Sequence, residues 1–67
     1  MTFPEAVKTA RETLKMSQED LARALNISFA TINRWENGKT RPNKLTFSVF
    51  ISFCEKNGIS INEEELL

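Results

Sequence analysis

Histidine is absent from this 67-residue chain, and cysteine occurs once, at Cys54. A single thiol forms no intrachain disulfide, so a reducing, cytoplasmic setting is expected. One cysteine and no histidine also leave too few ligands for a protein zinc site and no imidazole for Ser/His-type catalysis. The sequence therefore carries no expectation of a metal, a cofactor, a small-molecule ligand or an enzymatic activity. Apolar runs long enough to span a bilayer are missing, and Met1-Thr2-Phe3-Pro4 lacks the basic flank and apolar stretch of a signal peptide. No repeat, low-complexity tract or Pro/Gly-rich linker divides the chain, so residues 1–67 are expected to form one domain. That length holds one modest core, not a substrate pocket with its supporting shell. No segment alternates at period two, and no strands are expected.

What is present fits a folded globular chain: 40% of residues are hydrophobic and 27% charged. The net charge is zero, which predicts weak non-specific attraction to nucleic acid. The charges are not evenly spread, however. Arg34, Lys39, Arg41 and Lys44 stand against Glu36 alone between Asn33 and Lys44, whereas Glu55, Glu63, Glu64 and Glu65 face only Lys56 near the C-terminus. A basic middle and an acidic end give one face suited to phosphate.

Helical signals account for nearly the whole chain. Pro4 suits a first helical turn, and Val7, Ala10 and Leu14 recur at helical spacing, which predicts a helix over 4–14. Ser17-Gln18-Glu19-Asp20 resembles a capping box and opens a second helix with Leu21, Ala22 and Leu25 on one face. Asn26-Ile27-Ser28 breaks it, and Ser28 caps a third helix from Phe29 to about Asn37, which Gly38 terminates. Asn43 caps a fourth helix to about Lys56, stopped by Asn57-Gly58, and Asn62 can cap a last short turn. The expected fold is all-α, with four to five helices.

The segment from Ser17 to Pro42 has helix-turn-helix spacing. Its sequence, SQEDLARALNISFATINRWENGKTRP, resembles the phage-repressor and Cro-like family, also called the XRE type. The run Arg34-Trp35-Glu36-Asn37-Gly38-Lys39, after Ile32 and before Pro42, carries the resemblance most specifically. It implies a lambda-repressor-like domain that binds double-stranded DNA with the helix starting at Phe29 in the major groove, as a transcriptional regulator and most simply a repressor. Other readings on the same fold are a DNA-targeting or controller subunit of a restriction–modification or toxin–antitoxin system, and a protein-interaction module.

Helical projection places Phe29, Ala30, Asn33, Arg34 and Asn37 on one side of the third helix and Thr31, Ile32 and Trp35 on the other. The second set is the expected core stripe. The first offers an amide for adenine, a guanidinium for guanine and apolar contact for a thymine methyl. Phe29, Ala30, Asn33 and Arg34 are thus the expected base-contacting residues. Phe29 departs from the polar residue usual at its position, leaving open a thymine or sugar contact or a fold back beside Leu21. Expected contacts to the DNA backbone are Gln18, Thr31, Asn37, Lys39, Thr40 and Arg41. Gln18 opens a helix whose first N–H groups favour an anion, and the resemblance has it bridge a phosphate and the recognition helix. The resemblance also implies a structural ion pair between Arg11 and Glu36.

The fourth helix carries a surplus of apolar surface. Leu45, Phe47, Val49, Phe50, Ile51, Phe53 and Cys54 cover an arc of roughly 240°, where about 100° suffices to pack on one core. Pro42 and Gly58 also lie farther apart than in the family, by about one helical turn. A short chain that reads as complete points to a second copy of itself as the partner. Phe47, Phe50, Ile51 and Cys54 are the expected interface of a two-fold homodimer, with Ile61, Leu66 and Leu67 as additions.

Overall fold

Thr2 and Glu5 start the first helix by a reciprocal pair of bonds. The Glu5 N–H donates to Thr2 Oγ1 at 3.3 Å, and the Thr2 N–H donates to Glu5 Oε1 at 2.8 Å. A computed structural model, which describes residues 1–66, shows this helix as α1 (Phe3–Thr13), followed by α2 (Gln18–Leu25), α3 (Phe29–Glu36), α4 (Lys44–Lys56) and a short α5 (Glu63–Leu66). Strands are absent among the described residues. The first helix begins one residue earlier than its sequence signals, because the capping residue is Thr2 and Pro4 occupies the second helical position. Leu14, expected on its buried stripe, instead caps its end, and the chain turns back at Lys15 with φ of 57°.

The remaining helix starts follow local side-chain chemistry. Ser17 Oγ accepts from the Asp20 N–H at 3.0 Å while Asp20 Oδ2 accepts from the Ser17 N–H at the same distance. Ser28 Oγ accepts from the Thr31 N–H at 3.1 Å, and Asn43 Oδ1 from the Thr46 N–H at 2.8 Å. Each bond satisfies a helix-start donor that has no partner within the helix. Asn26 ends α2 in the left-handed region at φ 58°, and Ile27 donates back to Ala22 at 2.9 Å. Asparagine tolerates that conformation better than most side chains do. The tight turn it makes fixes the angle at which α3 leaves α2.

One core joins all five helices. Phe3, Val7 and Ala10 of α1 meet Leu21 and Leu25 of α2, Ile32 and Trp35 of α3, Phe50, Ile51 and Cys54 of α4, and Leu66 of α5. Phe3 sits at the centre of an aromatic cluster, with ring centroids 5.2 Å from Trp35, 5.6 Å from Phe50 and 5.9 Å from Phe47. The Trp35 and Phe50 contacts are edge-to-face, the arrangement the ring quadrupole favours. Trp35 is thus a core residue and not a base-stacking one.

Burial corrects the reading of α4. Phe50, Ile51 and Cys54, expected at a dimer surface, are buried within the chain, and Phe47 is partly buried against Phe3. Leu66 is buried beside them, and Ile61 packs partly against the same core. The physical reason is that α4 packs on α2 and on Phe3 of α1, with Leu66 of α5 joining the same core. Leu67 lies outside the described residues. The apolar side chains of α4 that do face outward are Leu45, 75% exposed, and Val49, 41% exposed. They sit one helical turn apart and form one stripe.

Candidate nucleic-acid interface

Two buried side chains decide how α3 is presented. Ile32 and Trp35 anchor its inner face. The opposite side therefore points outward, with Phe29, Ala30, Arg34 and Asn37 exposed and Asn33 half-buried. Four of the expected reading groups thus share one outer surface. Phe29 is 49% exposed and lines an open surface hollow together with Glu19, Ala22, Arg23 and Ile27 of the neighbouring helix and turn. It does not fold back into the core beside Leu21. Thr31 turns its hydroxyl to Ser28 Oγ at 2.8 Å, a bond that supports the helix start.

The end of α3 opens directly into a basic loop. Gly38 takes φ of 70°, its N–H donates to the Trp35 carbonyl at 3.2 Å, and the Lys39 N–H donates to Arg34 at 2.9 Å. A side chain at this φ would be strained, so glycine is needed there. Lys39 and Thr40 are then exposed beside the helix. Arg41 behaves differently. Its Nη2 donates to the Leu66 carbonyl at 3.0 Å, so it holds α5 as well as bordering the loop.

Arg11 and Glu36 lie 25 residues apart and meet in a two-pronged ion pair. Arg11 Nε donates to Glu36 Oε2 at 2.7 Å and Nη2 to Oε1 at 2.9 Å, while Nη1 donates to the Met16 carbonyl at 3.2 Å. The side chains are only 17% and 7% exposed. Burial pushes the Glu36 carboxyl upward, but hydrogen bonds from Arg11 and Gln18 outweigh it and hold the group below its ordinary 4.5. The bond to Glu36 raises Arg11 above its ordinary value in turn. One electrostatic consequence reaches the surface: the sole acid between Asn33 and Lys44 is neutralised internally. Arg34, Lys39 and Lys44 remain exposed around the third helix and its loop.

Gln18, at the start of α2, reaches the recognition face. Its Oε1 accepts from Asn33 Nδ2 at 3.3 Å, and Asn33 Oδ1 accepts from Asn37 Nδ2 at 3.1 Å. The resemblance implies a bridge from Gln18 to the recognition helix, and the structure shows Asn33 as the residue it meets; helical projection puts Asn33 and Asn37 on one side but does not give the bond between them. Burial pushes the Cys54 thiol up to about 11, and the nearby Glu55 charge adds to the effect. Such a thiol behaves as a small apolar side chain and not as a redox group. Among the described residues, no cluster of three or more His, Cys, Asp or Glu is placed to hold a metal ion. No helix among them is long and apolar enough to cross a membrane.

Comparison with known proteins agrees with this geometry. The helix-turn-helix family's sequence model matches residues 7–63. The chain belongs to the helix-turn-helix family. Over 52 residues, 73% of the chain, it is 42% identical to the type II methyltransferase M1.ScrFI of Lactococcus lactis subsp. cremoris. Over 42 residues, 63% of the chain, it is 38% identical to the HTH-type transcriptional regulator DicA of Escherichia coli K12. The matched segments make up 13% of the methyltransferase and 31% of DicA, so the chain spans less than a third of either relative. No solved structure gives a significant match.

Proposed function

We propose that this chain is a sequence-specific binder of double-stranded DNA that acts as a transcriptional repressor, with α3 lying in the major groove. The observation that carries the reading is the outer face of α3. It presents Ala30, Asn33 and Arg34 outward from a helix locked by Ile32 and Trp35, beside a basic loop, and the one acid between Asn33 and Lys44 is already paired with Arg11. These are side chains that read base edges, held on a rigid element. Phe29 supplies apolar contact at the head of the helix. Gln18, Thr31, Asn37, Lys39, Thr40 and Arg41 border that face and contact the DNA backbone, which sets orientation and not sequence.

A helix of eight residues covers few base pairs, so two copies acting on half-sites about 34 Å apart give the specificity one cannot. A second copy is the proposed occupant of the exposed Leu45 and Val49 stripe. Selection from a random duplex pool, followed by titration at several salt concentrations, tests the reading. The expected result is a preferred pseudo-palindrome and a log–log salt slope several units negative. Arg34→Ala should relax base preference, at about 1–3 kcal/mol for a lost two-pronged contact, while Lys39→Ala weakens all sequences alike. Binding that neither prefers a sequence nor weakens with salt rules the proposal out.

One observation favours a second reading, in which the domain targets or controls a restriction–modification system: the similarity to M1.ScrFI, a methyltransferase. Both readings share the DNA surface and differ in what it is coupled to. Footprinting on the promoter of any adjacent methyltransferase gene separates them.

A further inference from the structure

Leu66 belongs to the core, yet its surroundings are open. Its side chain is buried, but it borders three surface hollows: one shared with Gly38 and Thr40, one with Phe47 and Lys44, and one with Met1 and Ile61. A side chain flanked by open space is held by contacts over part of its surface. A helix of four residues adds little stability of its own. The α5 turn therefore stands at the low-stability end of the fold. The first hollow also fixes where that turn lies: Leu66 flanks Gly38 and Thr40, in the loop that leaves the recognition helix.

Arg41 joins that loop to α5 through the bond from its Nη2 to the Leu66 carbonyl, 3.0 Å long. The same guanidinium is the one assigned above to a DNA phosphate, and a bond to a charged acceptor is roughly twice as strong as one to a neutral carbonyl. A phosphate oxygen about 3 Å from one guanidinium nitrogen comes within roughly 8 Å of the Leu66 carbonyl, about one Debye length at physiological salt. Glu63 and Glu64 are exposed and precede Leu66 within a single helical turn of about 5 Å. Seated α5 thus brings two carboxylates toward the phosphate that Arg41 contacts, where like charges are only partly screened. We propose that α5 is an autoinhibitory latch: seated, it engages Arg41 and sets Glu63 and Glu64 against the DNA backbone, so docking of α5 and binding of DNA oppose each other. This inference rests on the DNA-binding reading above and adds a regulation of that surface. The opposition is reciprocal, because a seated α5 that weakens DNA binding by some factor is itself loosened by DNA by the same factor.

Two measurements on the duplex selected from the random pool test the latch from its two sides. Glu63→Gln and Glu64→Gln, made singly and together, remove charge at exposed positions and keep the side-chain shape. Each is expected to tighten DNA binding by about twofold per charge and per copy at low salt, with the gain fading as salt rises. Base preference should stay as in the parent chain, since the backbone contact carries no sequence information. Glu55→Gln is the comparison for net charge. Glu55 is exposed and stands eleven positions beyond Lys44 on α4, about 16 Å along the helix axis, and its removal should leave affinity unchanged. The second measurement is amide hydrogen exchange of residues 63–66 in the free protein and in its complex with the same duplex. Exchange there should be several-fold faster in the complex, while the buried positions of α1 and α3 exchange no faster than before.

Exchange at residues 63–66 that is unchanged or slowed by DNA overturns the latch, whatever the glutamate variants do, and leaves the DNA-binding reading standing. Equal gains from Glu64→Gln and Glu55→Gln also overturn it, because the effect is then one of net charge and not of α5 beside Arg41. A parent chain that binds no duplex from the pool overturns the DNA-binding reading and takes this inference with it.

Discussion

Arg41 Nη2 donates to the Leu66 carbonyl at 3.0 Å across 25 residues of sequence, so the loop after the recognition helix is tied to α5. A helix of four residues has little stability of its own; buried Leu66 and this bond hold it in place. Arg41→Ala should therefore loosen α5 as well as weaken DNA binding. Digestion with a glutamate-specific protease checks this, because Glu63 and Glu64 are exposed. Cleavage there is expected to be several-fold faster in Arg41→Ala than in Lys39→Ala. Equal rates would show that Arg41 belongs to the DNA face alone.

The Arg11–Glu36 pair should be the most costly polar contact to break. Removing one member strands a largely desolvated charge, so Arg11→Ala is expected to cost about 3 kcal/mol and lower the Tm by about 10 °C or more. The double variant Arg11→Ala with Glu36→Ala should lose less than the sum of the single losses. Strict additivity in thermal melts would show the two side chains to be uncoupled.

Acid should destabilise the fold through the same carboxylate and two capping ones. Hydrogen bonds from the Thr2 and Ser17 backbones hold Glu5 and Asp20 below their ordinary values of 4.5 and 3.8, and Glu36 is also lowered. A carboxyl whose folded pKa is depressed binds fewer protons than it does unfolded. Its contribution is present above its ordinary value and is lost as pH falls through the folded value. Melting temperature should therefore be insensitive to these groups above about pH 5 and fall steadily below about pH 4.5. Glu36→Gln, already weakened at neutral pH, should show a shallower acid loss. An acid profile identical to that of the parent chain would remove Glu36 from this account.

Lys15 turns the chain in the left-handed region at φ 57°, where a side chain costs about 1–2 kcal/mol relative to glycine's freedom. Lys15→Gly should stabilise the protein by about 0.5–1 kcal/mol, part of the gain being offset by the greater entropy of the unfolded chain. Lys15→Ala should be close to neutral, since alanine meets the same strain. Urea unfolding of both variants checks the pair, and a destabilising glycine would contradict the strain argument.

Two classes of substitution on α4 should separate the core from the outer stripe. A charge at Ile51, which is buried in the chain, should unfold the protein, whereas Leu45→Glu with Val49→Glu should melt like the parent. If the stripe joins two copies, that second variant sediments as a folded monomer and binds a full site weakly. A dimer unchanged by both outer substitutions would place the contact elsewhere.

Local interactions made part of this protein readable from its sequence. Ser17, Ser28 and Asn43 each cap a helix through a bond that spans three residues. The spacing of Ile32 and Trp35 alone says which side of α3 turns inward, and the motif from Ser17 to Pro42 carries the family. The same locality hid two features, since Lys15 gives no sign of a left-handed turn and Pro4 is a stronger helix-start signal than the Thr2 cap that is used. What the sequence left open depended on partners far along the chain. The apolar surplus of α4 was visible, but its division between core and surface depends on where Phe3 and Leu66 pack. Which residue of α3 meets Gln18, 15 positions away, and that Arg41 reaches Leu66, 25 positions away, were not legible; periodicity and capping speak only over one or two helical turns. Tertiary packing alone brought α1 against α3, where the Arg11–Glu36 pair lies largely out of solvent, and α2 against α3, where Gln18 meets Asn33.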